Sequence, residues 1–209
     1  MKSRLLVQVV AAVVVGVLAA GTLLGGEQVE AWWLRAYSVA VLVAMLLLFL
    51  WDRMLWRLPL VQRVRAVPRD LRGTWEGVLE SFWVDPTSGA RTPPKRVYLV
   101  IRQTASAVSV VLLTNESRSA STLGKVSDDG TTASLDYIYL NLPDSRVDHR
   151  SPIHHGSASF DLIGRPVTRL KGRYWTSRDS RGEMEFTSRM REQAEGFTEA
   201  AALFPTSSR

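Results

Sequence analysis

Two apolar runs near the N-terminus constrain this chain more than any other feature. Leu5 to Leu24 holds Gln8 as its one strongly polar member, and its length of about 20 residues is what an α-helix needs to cross a bilayer core. A second run extends from Ala31 to Trp51. Its early charge, Arg35, lies one turn from the start, where a long side chain can snorkel to the interface. Trp32, Trp33 and Tyr37 on one side, with Trp51 and Trp56 on the other, flank this run as an aromatic belt would.

Between the runs, Gly25-Gly26-Glu27-Gln28-Val29-Glu30 is short, acidic and led by glycine, so the pair reads as a tight helical hairpin. Lys2 and Arg4 precede it, and Arg53, Arg57, Arg63, Arg65 and Arg69 follow it. By the positive-inside rule both ends are cytoplasmic. A cleaved signal peptide would explain the basic start and the small residues at Ala19-Ala20-Gly21. The first run is long for such a signal, however, and a second follows directly. Within the first run Ala12, Gly16 and Ala20 recur every four residues on one helical face, a row that lets helices pack closely in a bilayer.

The composition changes at about residue 70. Residues 1–69 hold 8 Lys+Arg and 3 Asp+Glu of the chain's 26 and 20, so the remainder is nearly neutral with 18 against 17. The basic excess therefore sits beside the apolar runs, which argues for contact with a membrane surface and against DNA or RNA binding by the polar part. With no Cys, disulfides and thiolate metal sites are excluded. The polar part is long enough for one hydrophobic core.

Pro59 and Pro68 limit helix continuation, and the stretch between reads as a basic linker. After it the period is two. Eight strands are expected, at about 73–83, 96–104, 107–115, 117–126, 131–141, 154–163, 167–178 and 183–189. Turn signals separate them at 85–89, 128–130, 164–166 and 179–182. Ala194 to Leu203 is expected to be a short helix. Eight antiparallel neighbours in so few residues favour an up-and-down, lipocalin-like barrel, which leaves no exposed edge. Several strand faces begin apolar and end polar, with Gln103, Thr114, Asn141 and Arg178 at or near the ends. Turned inward, such faces would give a packed core at one end and a polar cup at the other.

Little here points to catalysis. His154 and His155 are adjacent on a strand and face opposite sides, so they cannot share a metal from that strand. His149 is the only other His, so no metal site and no cofactor is expected. No Ser occupies a nucleophile elbow, and no Gly-rich phosphate loop is present. Binding is the better reading. Trp75, Tyr137, Tyr139 and Tyr174 offer ring faces for bases. Arg102, Lys171 and Arg178 offer partners for phosphate, and Ser117, Ser119 and Ser121 offer hydroxyls from one face. Each also has an ordinary structural use, as cross-strand partner, barrel floor or solvated face.

The whole chain resembles the two-transmembrane, β-strand-rich effectors of CBASS, the bacterial cyclic-oligonucleotide-based antiphage signalling system. The resemblance rests on the order of short blocks behind the hairpin: Leu71-Arg72-Gly73-Thr74-Trp75-Glu76-Gly77, Ile101-Arg102-Gln103-Thr104, Thr114-Asn115-Glu116-Ser117-Arg118-Ser119, Tyr139-Leu140-Asn141-Leu142-Pro143, His155-Gly156 and residues 170–178. It implies a minimal eight-stranded barrel that senses a cyclic dinucleotide made by a partner nucleotidyltransferase on infection. It further implies that binding drives the membrane segments into a homo-oligomer, which disrupts the inner membrane and kills the cell.

Carried onto this chain, the resemblance and strand parity together mark Trp75, Gln103, Thr114, Ser117, Ser119, Tyr139, Asn141, His155, Tyr174 and Arg178 as ligand-binding, and the additional His154 before His155-Gly156 leaves open which histidine, if either, faces the ligand. Ala12, Gly16 and Ala20 are the expected oligomerisation row. The expected organisation is a transmembrane hairpin over 1–58, a linker over 59–70, a receptor barrel over 71–190 and a tail over 191–209. Hairpin ends and barrel lie on the cytoplasmic side of a bacterial inner membrane. The alternative is a membrane-anchored lipocalin-like carrier of an apolar small molecule, which would want an apolar cup.

Overall fold

The computed structural model describes residues 11, 12, 14–16, 19, 20, 30–147, 149, 151–178 and 180–205, with the side chains of 30–34 excepted. The chain divides into two compact units, Met1–Val67 and Pro68–Arg209. In the first, the described residues between 11 and 20 are all α-helical. The rest of the expected first span and the 25–29 turn lie outside the described residues. Helix α1 spans Glu30–Arg53. Its part from Arg35 to Arg53 is the one helix among the described residues long and apolar enough to cross a membrane. Leu42, Met45, Leu46 and Phe49 are all more than half exposed on it, and a helix apolar on its outside is suited to lipid rather than water. A 3₁₀ turn over Leu55–Arg57 and the four-residue helix α2, Pro59–Gln62, follow, with Pro59 in the first turn where its missing N–H costs nothing.

The second unit is a closed barrel of eight antiparallel strands in sequence order. They are β1 Gly73–Ser81, β2 Lys95–Gln103, β3 Val108–Leu113, β4 Ser117–Asp128, β5 Ala133–Pro143, β6 His154–Ile163, β7 Arg169–Thr176 and β8 Arg181–Met190. The strands alternate in direction, which defines two ends. The floor carries Gly73, Gln103, Asp128 and Met190; the mouth carries Ser81, Asn141, His154 and Thr176.

An eight-stranded barrel is only just wide enough for its own side chains. Here glycine makes the room. Phe186 lies across Gly77, Phe160 across Gly172, Tyr139 across Gly156 and Tyr174 across Gly182, each ring on the glycine of a neighbouring strand. A Cβ at Gly77, Gly172 or Gly182 would stand within 2.5–2.8 Å of the ring. With Trp75, Leu99, Ile101, Leu135 and Met184 these rings form the inner core.

A second apolar cluster lies outside the barrel. Helix α3, Phe197–Leu203, brings Ala200 and Phe204 against Tyr98, Val100, Val111 and Leu113. Tyr98 is stacked on Phe204 with 5.9 Å between centroids. Val97 to Ile101 is therefore buried on both faces, which is why β2 reads as a continuous apolar run instead of an alternation.

The chain enters the barrel at its floor through a polar clasp. Arg69 Nε donates to Asp128 Oδ2 at 2.9 Å, and its Nη1 donates to the carbonyls of Leu162 and Gly164. The Gln103 amide accepts from Leu71 N–H at 2.9 Å and donates to the Arg69 carbonyl at 3.0 Å. Arg189 donates to the carbonyls of Arg72 and Asp70. Burial alone would raise the Asp128 carboxyl, but the Arg69 hydrogen bond, the Gly130 N–H and the charges of Arg69 and Arg165 outweigh it and hold it below the usual value.

A carboxylate depressed by folding stabilises the fold above its unfolded pKa, and that stability is lost as pH falls through the folded pKa. Asp128→Asn is therefore expected to cost about 1–3 kcal/mol at pH 7. The gap between variant and parent should close below about pH 4. Melting curves of both proteins at the two pH values measure this; an equal gap at both would remove the carboxylate from the account.

Candidate ligand site at the barrel mouth

Strand direction sorts the expected site residues. Strands β3, β5 and β7 run toward the mouth, so Thr114, Asn141 and Arg178, which follow or end them, come together there. Strand β2 runs the other way. Gln103 is thus at the floor, where its amide is engaged by the clasp, and its placement in the cup is corrected.

Trp75 is corrected likewise. It is fully buried near the floor. Its Nε1 donates to the Leu71 carbonyl at 2.8 Å, and the Arg189 guanidinium lies 5.2 Å from its ring centroid. The indole plugs the barrel and offers no face to a ligand. Trp75→Ala is expected to cost about 3–5 kcal/mol, read as a lowered melting temperature, with unchanged ligand affinity in the fraction that remains folded. A weakened affinity with normal melting would return Trp75 to the site.

Strand pairing decides which of the two histidines has the inward parity. Asn141 pairs with His154, and Leu140 with His155. Asn141 faces inward and is 5% exposed, so His154 shares its face while His155 is exposed on the outside. His154 Nδ1 lies 2.8 Å from the Pro152 carbonyl. That bond requires a proton on Nδ1 and leaves Nε2 as an acceptor in the neutral ring. The signal was present in the sequence: Ala158, Phe160 and Leu162 fix the inward parity of β6, and His154 has it.

What the fold gathers at the mouth is a polar layer over a phenol layer. Ser119 Oγ donates to Asn141 Oδ1 at 2.8 Å, and both residues are buried. This leaves the Asn141 Nδ2 donor with no acceptor among the described residues. The hydroxyls of Thr114 and Ser117 are 3.0 Å apart, and Thr114 Oγ1 also accepts from the N–H groups of Glu116 and Ser117, so it shapes its own turn. The Val110 N–H donates to Ser121 Oγ at 2.9 Å. Arg178 is exposed in the β7–β8 turn, where Nη1 donates to Ser151 Oγ at 2.9 Å. Arg102 and Lys171 are exposed on the outward parity of their strands and stay outside this group.

Beneath this layer Tyr139 and Tyr174 are 5% and 7% exposed, and Tyr137 stacks on Phe160 with centroids 6.1 Å apart. The ring faces are thus occupied by glycines and neighbouring rings rather than held open. Burial, with the neighbouring phenol second, pushes the hydroxyls of Tyr137 and Tyr139 well above their ordinary pKa. They remain neutral phenols, and the Tyr137 hydroxyl is buried without a hydrogen-bond partner among the described residues. Chemically, the mouth offers amide, hydroxyl and imidazole groups for polar base edges, and a guanidinium at its rim for phosphate. Among the described residues no cluster of three or more His, Asp or Glu is arranged to hold a metal ion.

Comparison with known proteins agrees with this architecture. The model of the family described as "Cap15, cyclic dinucleotide receptor domain" matches residues 66–188, from the clasp through most of β8. The curated "CD-NTase-associated protein 15" of Staphylococcus schleiferi is 25% identical over 152 residues, covering 73% of this chain and 78% of that protein. The sequence blocks, the closed barrel and this match converge: the chain belongs to the Cap15 family of cyclic dinucleotide receptors, the sensing effectors of CBASS antiphage defence.

Proposed function

We propose that the mouth of the barrel binds a cyclic dinucleotide, and that binding drives the N-terminal helices to assemble and disrupt the bacterial inner membrane. The observation that carries this reading is the joining of two parts in one chain. A family-matched receptor barrel presents polar groups at one end, and a helix with a lipid-suited surface precedes it. Neither part has the other's capacity. The barrel has two buried apolar clusters and no helix long and apolar enough to cross a membrane among its described residues, and the helix carries no receptor fold of its own. In this reading the protein acts without catalysis, as a homo-oligomer, downstream of a nucleotidyltransferase that makes the signal.

The carrier alternative is less well supported. Trp75, Phe160, Phe186 and Leu135 fill the barrel from the floor upward, where an apolar cargo would need an empty lumen.

The test is a cell-integrity assay in bacteria that express the chain with and without its nucleotidyltransferase. Dye entry only when both are present is the expected result. Dye entry that is independent of the signal, or none at all, would refute the coupling. Topology is read separately. A reporter fused after Arg209 should be active only as a cytoplasmic reporter, and periplasmic alkaline phosphatase activity from that fusion would reverse the assignment.

A further inference from the structure

One cation of the barrel wall has inward parity at the mouth. Strand β2 runs from mouth to floor and begins with Lys95. Lys95 pairs with Leu79, which packs against the inner core, and is two places from Val97, which is fully buried in that core. Directly paired residues share a face of the sheet, so the Lys95 side chain leaves the strand on the inner side. Arg96, the next residue, leaves on the outer side, where its guanidinium donates to the Phe204 carbonyl. Among the described strand residues Lys95 is the one Lys or Arg with inward parity at this end. Arg189, at the floor, lies on the Trp75 ring.

Register joins Lys95 to the polar layer. Leu99 pairs with Leu112, Leu112 with Ser119, Ser119 with Asn141 and Asn141 with His154. This inward row begins deep on β2 and ends at the mouth on β5 and β6, because paired rows climb along tilted strands. The inward positions of β2 that approach the height of Asn141 therefore lie mouthward of Leu99. They are Val97 and Lys95, and Lys95 is the one at the rim.

A second link runs through the turn between β3 and β4. Lys95 Nζ donates to Glu116 Oε2 at 2.9 Å, with the two side chains 37% and 33% exposed. The Glu116 backbone is held on both sides: its N–H donates to Thr114 Oγ1 at 3.1 Å, and its carbonyl accepts from the Asp144 N–H at 2.8 Å. Thr114 belongs to the polar layer, and Asp144 follows the strand end that carries Asn141. The carboxylate can thus swing off the ammonium while the turn keeps its place.

A cyclic dinucleotide carries two phosphodiesters, each with one negative charge, and Arg178 supplies a cation on only one arc of the mouth. We propose that Lys95 is the second phosphate-binding residue and that Glu116 competes with the ligand for it; the proposal rests on the receptor reading above. An ammonium has three donors, of which Glu116 takes one among the described residues. A phosphate oxygen takes the place of the carboxylate oxygen, so the charge-assisted hydrogen bond is exchanged rather than lost. The exchange costs little, because a solvent-exposed ion pair contributes little to folding. Glu116 sets the threshold, since its charge opposes the incoming phosphate.

The test is isothermal titration of the full-length protein in detergent with cyclic di-GMP, cyclic di-AMP, cyclic di-UMP and cyclic GMP-AMP as probes. For each probe that binds, Lys95→Gln should weaken affinity about tenfold or more, the worth of a charge-assisted contact, and Lys95→Arg should restore most of it. Glu116→Gln should act in the opposite direction and tighten binding about two- to fivefold. Weaker binding in both neutral variants, with a lowered melting temperature in each, is the signature of a merely structural ion pair and would overturn the proposal. Parent affinity in Lys95→Gln would overturn it as well. A parent that binds none of the probes would overturn the receptor reading and this inference with it.

Discussion

Replacing Gly16 with Leu is expected to abolish ligand-induced assembly in membranes and leave the barrel's affinity for its ligand unchanged. Gly16 is helical and exposed, as are Ala12 and Ala20 on either side. A Cβ at Gly16 would meet nothing within 4 Å among the described residues, so no described neighbour in the single chain opposes a larger side chain at that point. The effect is assigned to contacts with helices of other copies. Close approach of helix backbones in a bilayer depends on small residues, and a leucine in the row holds the partners apart. Crosslinking in membranes with and without ligand reads assembly, and a titration of the same preparation reads affinity. Normal assembly and permeabilisation by Gly16→Leu would show that helix packing runs through another face.

Arg178→Ala should act on the other half alone. Arg178 is the exposed guanidinium in the turn between β7 and β8, hydrogen-bonded to Ser151 in the neighbouring β5–β6 loop. Its backbone N–H donates to Thr176 Oγ1 at 3.2 Å, a bond that alanine keeps, so the turn itself survives. Losing a charge-assisted contact to phosphate costs about 1.5–3 kcal/mol, or roughly ten- to a hundredfold in binding. The melting temperature without ligand should not move, because an exposed cation contributes little to folding. The loss should also shrink at high salt, since an exposed ion pair is screened there. An unchanged affinity would place the phosphates elsewhere on the rim.

The barrel was legible because its code is local. Alternation with period two, and turn residues at regular spacing, led to eight strands in sequence order, and the closed barrel has them in that order. The α3 helix was expected from Ala194 to Leu203 and runs Phe197–Leu203. What it covers was not foreseen, although the unbroken apolar run of β2 already required burial on both faces.

The site was legible only in part, and the errors share a cause. Place along a strand is visible in the sequence, but antiparallel neighbours end at opposite sides of a barrel. By place alone Gln103, at the end of β2, falls with Asn141, at the end of β5, when they are at opposite ends. Parity also decided between the two histidines, and following β6 back from Phe160 selects His154. The floor clasp was out of reach by pattern. Arg69 meets residues 59 to 95 positions away, and Arg189 meets residues 117 and 119 positions away. Contacts of that separation exist only once the barrel closes.

The most direct test of the account is isothermal titration of the full-length protein in detergent, without divalent metal, against a panel of cyclic di- and trinucleotides. The account predicts saturable heat from at least one cyclic dinucleotide, weakened by Arg178→Ala and unaffected by Gly16→Leu. No heat from every cyclic dinucleotide, with the protein folded by its melting curve, would contradict it.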